Sequence, residues 1–264
     1  MSSPRPVRVL VLSGFGINCE AETAHAFRLA GAEPQVVHVN DLLERSEQLA
    51  QAQLLAFPGG FSFGDHLGAG RALANRLRAR LAGPLERFIA DGGLVLGICN
   101  GFQTMVRLGL LPAGRPGPQK VTLAHNACGT FYDGWVTLAA DPSSPCVFTK
   151  GIDRLELPCR HGEGQLLGSA HVVAELESDA LVPLRYVDPA TGRPTQVWPL
   201  NPNGSTGGMA GLCDRSGRLF GLMPHPEAFL YRENHPAWRR RPPRRGEGLV
   251  LFENAVEACR RDGA

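Results

Sequence analysis

The feature that most constrains the fold of this chain is an alternation, through its N-terminal half, between short, continuously apolar runs and longer amphipathic stretches. The apolar runs predict buried strands at residues 7–12, 35–39, 54–57 and 94–98. The amphipathic stretches predict helices at residues 20–30, 41–50, 71–90 and 100–108. Strands that are apolar along their whole length are typical of parallel sheets with helices on both faces. We therefore predict an α/β fold with a doubly wound, mostly parallel sheet.

Beyond residue 112 the pattern changes to short segments rich in Val, Leu and Thr, separated by Pro, Asn and Gly. These segments predict antiparallel strands inserted on the common sheet, at residues 134–140, 172–176 and 184–187. Residues 219–223 return to a buried strand, and residues 249–260 have the apolar spacing of a closing helix. With 264 residues and 43% hydrophobic content the chain can fill one large core. We expect residues 1–264 to form a single domain.

The charge balance gives no indication of a polyanionic partner. The chain has 27 basic and 25 acidic residues and a formal net charge of +2. No long-range field of one sign therefore favours nucleic acid or an anionic membrane, and we expect a small ligand instead. One dense basic run, RRRPPRR at residues 239–245, lies in an irregular segment, residues 234–248. That segment is typical of an exposed loop that is solvated or touches a partner, with specific anion binding as the alternative.

The seven cysteines, which form no C-x-x-C pair, indicate neither a disulfide framework nor a zinc knuckle. This usage fits a reducing cytoplasm. The N-terminal sequence MSSPRP contains no long apolar leader segment, and no apolar run approaches the ~20 residues that span a bilayer. We therefore expect a soluble, cytoplasmic protein.

One cysteine stands in a sequence context that favours nucleophilic chemistry. Residues 97–101 read GICNG, directly after the predicted strand 94–98 and before a predicted helix. This arrangement is the thiol counterpart of the G-x-S-x-G nucleophile elbow. There, Cys99 would take a strained backbone conformation that projects its side chain toward a ligand, and the helix dipole would favour its thiolate. The alternative is a buried structural cysteine, the interpretation that we give to Cys19, Cys128, Cys146, Cys159, Cys213 and Cys259.

A nucleophilic thiol needs a base and a third group that orients the base. Residues 224–227, PHPE, supply both: in extended backbone His225 and Glu227 point the same way, and the two prolines restrict the chain around them. His161 and Glu163 have the same spacing, and spacing alone does not choose between the two pairs. A zinc site made from all four side chains is only weakly indicated, so no metal is predicted.

Backbone donors for a tetrahedral intermediate are predicted beside the elbow. Residues 58–65, PGGFSFGD, follow the third strand and should lie at the carboxyl edge of the sheet, where such folds bind ligands. We predict that the N–H groups of Gly60 and Asn100 form an oxyanion hole, each donor worth about 3–4 kcal/mol. A flexible surface loop and a phosphate cradle are the alternatives. A P-loop also needs a lysine, and because none lies here, ATP chemistry is expected elsewhere.

Six motifs together resemble those of one enzyme family. In chain order they are GINCE at 16–20, PGGFSFGD at 58–65, GICNGFQ at 97–103, HGEG at 161–164, NPNGS at 201–205 and PHPE at 224–227. The set resembles the class I, triad-type glutamine amidotransferases, whose sheet is flavodoxin-like. The first, fourth and fifth motifs resemble in particular the glutaminase subunit of phosphoribosylformylglycinamidine synthase.

The resemblance implies a triad of Cys99, His225 and Glu227, leaves His161 near the pocket without an assigned role, and implies that Gln103 helps to hold the substrate glutamine. The implied activity is hydrolysis of glutamine to glutamate and ammonia through a Cys99 thioester. Ammonia would then pass to a synthetase subunit in de novo purine biosynthesis. The resemblance also implies a small accessory subunit, no cofactor in this chain, and ATP and magnesium on the synthetase.

The chain departs from the family pattern at three places: at Ala228, where an arginine is commoner, at residues 68–71 (GAGR), and in the longer loop 234–248. These differences leave the expected chemistry unchanged and bear on the expected partner contacts. The residues alone leave two other functions open. One is a stand-alone thiol hydrolase on the same fold, and the other is a catalytically silent subunit that only binds a partner.

Overall fold

The structure, a computed structural model, describes residues 6–240 and 245–262. Its strands are β1 (Arg8–Ser13), β2 (Glu33–His38), β3 (Leu54–Phe57), β4 (Leu94–Ile98), β5 (Val121–His125), β6 (Tyr132–Ala140), β7 (Arg154–His161), β8 (Glu163–Gly168), β9 (Leu184–Tyr186), β10 (Gly211–Cys213) and β11 (Leu219–Leu222). Its α-helices are α1 (Glu20–Leu29), α2 (Val39–Glu44), α3 (Arg71–Ala90), α4 (Asn100–Leu108), α5 (Leu110–Ala113), α6 (Ala170–Ser178) and α7 (Leu249–Asp262).

Six strands form the central sheet in the order β10-β11-β4-β3-β1-β2. Neighbouring strands are parallel except β10 and β11, which are antiparallel. Strands β3, β4 and β11 are buried along their whole length, as expected for strands with helices on both faces. The predicted α/β fold with a mostly parallel sheet is confirmed.

The long helices bury leucine-rich faces. In α3, Leu73, Leu77 and Leu81 recur every four residues and are at most 2% exposed. Helix α3 packs on α4, and α1 packs on α7, where the rings of Phe27 and Phe252 meet edge to face at 5.0 Å. Replacing one of these leucines by alanine would cost about 2–5 kcal/mol of stability. The packing of α3 against α4 holds in place the turn at which β4 ends and α4 begins.

The second half of the chain differs from the prediction in two ways. Strands β6, β7 and β9 form a separate three-stranded sheet, and β5 pairs with β8, instead of joining the central sheet. Residues 172–176, predicted as a strand, lie in helix α6. The Ser169 hydroxyl caps that helix by accepting the N–H of Val172 at 3.3 Å. This cap supplies a helix start that outweighs the strand preference of the neighbouring valines.

The predicted helix at residues 41–50 is interrupted. Helix α2 ends at Glu44, because Arg45 (φ −127°, ψ 61°) leaves helical geometry, and a 3₁₀ helix then runs over Ser46–Gln51. The predicted helices at 71–90 and 100–108 agree with α3 and α4. Within the described ranges, every helix is too short or too polar to span a bilayer.

The basic run at residues 239–245 falls partly outside the described residues, which omit 241–244. On one flank, the Arg239 guanidinium lies 5.0 Å from the centre of the Trp238 ring. On the other flank, Arg245 forms an ion pair with Glu253 at 2.7 Å. Arg239 and Arg245 are therefore engaged with side chains of this chain.

Candidate active site

Cys99 occupies the turn between strand β4 and helix α4. Its backbone has φ 50° and ψ −105°, a conformation that L-residues rarely adopt and that the surrounding structure must hold in place. The Cys99 N–H donates to the Leu222 carbonyl at 2.8 Å, and the Cys99 carbonyl accepts the Gln103 N–H at 3.0 Å. The strained residue is thus fixed on one side by β11 and on the other by the first turn of α4.

The two glycines around this turn are required by close packing. A Cβ atom at Gly101 would lie 1.8 Å from the Phe57 carbonyl oxygen, at the end of β3. A Cβ atom at Gly97 would lie 2.4 Å from Met105 Sδ. Side chains at these positions would therefore push α4 away from the sheet. Their absence brings the N-terminus of α4 directly behind Cys99.

The Cys99 side chain is less exposed than the elbow pattern predicts. The residue is 6% exposed, and Sγ lies 3.5 Å from the Arg160 carbonyl oxygen at the end of β7. The strand pair β6 and β7 was not predicted beside the elbow, which is why the sequence suggested a more open thiol. The contacts of Sγ are nonetheless polar, because the ring of His225 also lies beside it.

His225 and Glu227 form a close pair next to Cys99. His225 Nδ1 lies 2.5 Å from Glu227 Oε1, and the two residues are 4% and 3% exposed. The backbone between them is not extended as predicted, because Pro226–Ala228 forms a 3₁₀ turn immediately after His225. The turn, and not strand alternation, directs the carboxylate back to the ring. The backbone N–H of His225 also donates to the Pro158 carbonyl at 2.8 Å, and this bond fixes the residue against β7.

Opposing effects act on the pKa of His225. Burial is the largest and lowers the pKa, because the protonated ring is poorly solvated. Glu227, Cys99 and Cys19 each raise it, and together they hold the pKa of His225 well above its ordinary value. The pair therefore favours an imidazolium that is stabilised by a buried carboxylate.

The ring of His225 keeps one nitrogen available. Nε2 is buried and has no hydrogen-bond partner among the described residues. The thiols of Cys99 and Cys19 lie near the ring without completing an ordinary hydrogen bond to Nε2. A buried, unpartnered imidazole nitrogen beside a thiol can exchange a proton with the thiol or with a bound substrate.

The competing histidine, His161, has different neighbours. Its Nδ1 lies 2.9 Å from Asn126 Oδ1, and its Nε2 lies 3.1 Å from Cys159 Sγ and 3.4 Å from Asn203 Nδ2. Burial, with a smaller contribution from His225, lowers the pKa of His161 to about 3. The ring is therefore neutral at ordinary pH, and both of its nitrogens already have partners.

Glu163 does not pair with His161. Its Oε2 accepts the Ala69 N–H at 3.1 Å, and its Oε1 lies 3.9 Å from Nδ1 of His125. Two H-x-E sequences thus have opposite geometries. Only the pair at 225 and 227 brings a carboxylate to the imidazole.

The predicted oxyanion donors lie on segments that meet beside the elbow. A Cβ atom at Gly59 would lie 2.8 Å from His225 Cε1, so the segment that includes Gly60 passes directly beside the base. The N–H groups of Gly60 and Asn100 have no protein acceptor within residues 6–240 and 245–262. Their role as oxyanion donors stays a prediction.

The Asn100 side chain connects these segments. Its Oδ1 accepts the Ser62 N–H at 3.1 Å, and its Nδ2 donates to Asp65 Oδ1 at 3.1 Å and to Gln103 Oε1 at 2.9 Å. Gln103, predicted to hold substrate, is 4% exposed, and its Nε2 donates to the Glu163 carbonyl. Both ends of the Gln103 amide are thus occupied within the protein, and the side chain forms part of the wall of the site.

Cys19 is a neighbour of the site that the sequence pattern did not indicate. It was interpreted as structural, yet its thiol lies beside His225. The Cys19 N–H donates to the Gly59 carbonyl at 3.2 Å, which holds this residue against the segment that precedes Gly60. Burial is the main reason that the pKa of the Cys19 thiol is raised. The GINCE motif was the only sequence signal, because the contact joins residues far apart in the chain.

The family follows from comparison with known proteins. Residues 6–259 match the family described as the CobB/CobQ-like glutamine amidotransferase domain. The chain belongs to this family. The predicted glutamine amidotransferase family and fold are thereby confirmed, and the elbow and the histidine–glutamate pair lie within the matched residues.

Several relatives of this glutamine amidotransferase are known by name. A phosphoribosylformylglycinamidine synthase subunit PurQ of Dehalococcoides mccartyi is 48% identical over 255 residues, covering 96% of this chain and 98% of that protein. The phosphoribosylformylglycinamidine synthase of Drosophila melanogaster is 36% identical over 97% of this chain but over only 20% of its own length. The solved structure of PurLQS from Thermotoga maritima has a chain with a TM-score of 0.72 and 30% identity, covering 96% of this chain and 99% of that one.

Proposed function

We propose that this glutamine amidotransferase is the glutaminase subunit of a phosphoribosylformylglycinamidine synthase and supplies ammonia for a step of de novo purine biosynthesis. The observation that supports this most directly is a thiol in a strained strand-to-helix turn beside a buried imidazole–carboxylate pair. That arrangement lies in a chain that is 48% identical to a PurQ subunit over nearly its full length.

In the proposed first step, Cys99 attacks the side-chain amide carbon of glutamine as a thiolate, with its proton on His225 Nε2. The C–N bond of the tetrahedral intermediate then breaks, and His225 gives its proton to the departing nitrogen, which leaves as ammonia. The raised pKa of His225 suits this role, because the ring holds a proton until the leaving nitrogen accepts it. Glu227 holds the ring through Nδ1 and stabilises its charge.

In the proposed second step, water attacks the glutamyl thioester, and His225 takes a proton from that water. The C–S bond breaks, glutamate leaves, and the thiolate–imidazolium pair is restored. In both steps the N–H groups of Gly60 and Asn100 would stabilise the negative charge on the substrate oxygen. Gln103 would help to hold glutamine indirectly, by shaping the wall beside Asn100, since its own amide is already hydrogen-bonded.

A partner must use the ammonia, and the surface beside the site is suited to contact one. Phe61, Leu67 and Phe131 are 48%, 64% and 52% exposed, and the rings of Phe61 and Phe131 lie 6.4 Å apart. Phe61 directly follows the predicted oxyanion donor Gly60. We propose that these three side chains contact the synthetase subunit, which would bind ATP and magnesium, and that a small accessory subunit completes the complex. The name PurLQS of the related Thermotoga structure supports a complex of this kind.

The test is a comparison of nitrogen sources in the reconstituted complex. Cys99→Ser should abolish synthesis from glutamine, because a hydroxyl in this site is a much poorer nucleophile, and should leave synthesis from ammonium chloride intact. Cys128→Ser, which changes an exposed thiol, is the matched control. Glutamine-dependent synthesis by Cys99→Ser at the wild-type rate would refute the assignment. Glutaminase turnover by the isolated chain at the rate of the complex would instead favour a stand-alone hydrolase.

A further inference from the structure

Three side chains at the base of the site combine into a set of potential metal ligands. A sulfur of Cys19, a ring nitrogen of His225 and a carboxylate oxygen of Glu227 all lie within 4.8 Å of one another. His225 and Glu227 are buried, and Cys19 is half-buried. His225 Nε2 and Glu227 Oε2 have no hydrogen-bond partner among the described residues.

The donor set selects one class of cation. Thiolate, imidazole and carboxylate together suit zinc and similar borderline-soft divalent ions, whereas magnesium and calcium prefer oxygen ligands throughout. Zinc bonds of about 2.0–2.3 Å place tetrahedral ligand atoms somewhat closer together than 4.8 Å. Binding would therefore need the Cys19 side chain, just before α1, to rotate toward the ring, and it would need His225 Nδ1 and Glu227 Oε1, which lie 2.5 Å apart, to separate slightly.

We propose that Cys19, His225 and Glu227 form an inhibitory binding site for Zn²⁺. On binding, the Cys19 thiol and His225 Nδ1 each lose a proton to solvent, and the metal takes the place of the Nδ1 proton between the ring and a carboxylate oxygen of Glu227. The inhibitory effect rests on the proposed function, because it assumes that His225 serves as the base for Cys99. With the metal on Nδ1, Nε2 carries the one proton left on the ring and cannot accept another from Cys99, and the carboxylate no longer accepts the Nδ1 hydrogen bond that orients the ring.

Cys19 gives this site its selectivity. Without the thiol, the remaining ligands are one imidazole and one carboxylate already in contact with each other at 2.5 Å, which is a weak set for zinc. The Cys19 N–H bond to the Gly59 carbonyl keeps the thiol beside the base. The metal site and the catalytic pair therefore share two residues and differ in one.

Direct binding is the first test. The purified chain is titrated with Zn²⁺ against a chromophoric chelator, and with Co²⁺ to detect thiolate-to-metal absorption. Wild type should bind one ion and give the thiolate absorption band. Cys19→Ser should lose at least about tenfold in affinity and lose that band, whereas the exposed-thiol control Cys128→Ser should match wild type. Cys19→Ala serves as a second variant, with circular dichroism to establish that each variant is folded.

Inhibition in the assembled complex is the second test. Zn²⁺ should reduce synthesis from glutamine and spare synthesis from ammonium chloride, and a chelator should restore the rate. For Cys19→Ser, the Zn²⁺ concentration that halves the variant's own metal-free rate should rise above the wild-type value. It should rise by the same factor as the variant's dissociation constant for Zn²⁺. Wild-type affinity in Cys19→Ser, or loss of binding in Cys99→Ser alone, would overturn the proposed site. Zinc binding by a wild-type chain whose assembled complex does not use glutamine would overturn the proposed function and leave the binding site standing.

Discussion

Two histidines in this chain are each followed, two residues later, by a glutamate, and the protein surrounds the two pairs in opposite ways. At 225 and 227 a 3₁₀ turn brings the carboxylate to 2.5 Å from the ring. At 161 and 163 the histidine ends β7 and the glutamate begins β8, so the carboxylate faces the Ala69 N–H instead.

The electrostatic result follows from these neighbours. Both rings are buried, and burial alone lowers the pKa of a histidine. At His225 a carboxylate and two thiols outweigh burial, whereas at His161 two amides and a thiol do not, and the pKa of His161 falls to about 3. The comparison teaches that the identity of the partners of a ring, and not the spacing in the sequence, decides whether a buried histidine can transfer protons.

Replacement of each histidine by glutamine should give the largest contrast. A glutamine at 225 can still hydrogen-bond Glu227 but cannot exchange a proton, so His225→Gln should lower glutaminase kcat by on the order of 10⁵-fold. A glutamine at 161 can keep bonds to Asn126 and Cys159, so His161→Gln should retain most of the activity. Glutamine hydrolysis by the assembled complex is the measurement. Equal losses in the two variants would show that the two sites are not functionally distinct.

The glutamates should differ by a smaller factor. Glu227→Gln removes the charge that holds His225 in its protonated form and should lower kcat by about 10³- to 10⁴-fold, with little change in synthesis from ammonia. Glu163→Gln keeps the backbone carbonyl that accepts from Gln103 and should stay near wild type. Both rates are measured with glutamine and with ammonium chloride. A Glu163→Gln loss as large as that of Glu227→Gln would contradict the assigned pair.

The smallest expected difference between the two histidines is in how each one changes the free energy of unfolding as the pH falls. In the unfolded chain His161 takes up a proton near its ordinary pKa of 6.5, whereas in the folded chain it stays neutral down to about 3. The unfolded state therefore binds more protons between these values, and wild type should lose about 1.4 kcal/mol of unfolding free energy per pH unit below 6.5 from this residue alone. The pKa of His225 is raised, so its contribution is complete below 6.5 and is lost as pH rises through its folded value.

Urea unfolding at pH 7 and pH 5 checks this expectation. The stability of wild type relative to His161→Gln should fall by about 2 kcal/mol between the two pH values. Relative to His225→Gln the stability of wild type should not fall over the same range. A pH-independent difference between wild type and His161→Gln would contradict the lowered pKa, because it would mean that the ring takes up its proton at the same pH in the folded and unfolded protein.

The sequence predicted those parts of the site that depend on local pattern. The elbow at Cys99 was predictable because an apolar strand, two glycines and a helix start are adjacent in the chain, and α4 begins and ends where predicted. The pairing of His225 with Glu227 was predicted from their spacing, but the 3₁₀ turn that produces it was not. Choosing between the two histidines required the family resemblance.

The remaining features depend on contacts between distant segments. Cys19 reaches His225 because the backbone of residues 18 and 19 pairs with the Gly59 carbonyl, and nothing local to Cys19 indicates this. The cover over Cys99 comes from Arg160 in a sheet that was predicted to join the central one. Long-range pairing of this kind has no periodic signal in a single sequence, and so the site was predicted to be more open than it is.

The amide of Asn100 has a mechanical consequence for the assembled enzyme. The amide accepts from the backbone N–H of Ser62 and donates to the side chain of Asp65. Asn100 itself is the residue that follows Cys99 in the chain. Phe61, next to Ser62, is half exposed on the proposed partner surface. A load that a docking protein applied to that phenylalanine would pass through these hydrogen bonds to the residue that adjoins the proposed nucleophile, and the proposed assembly would thereby act on the alignment of the thiol.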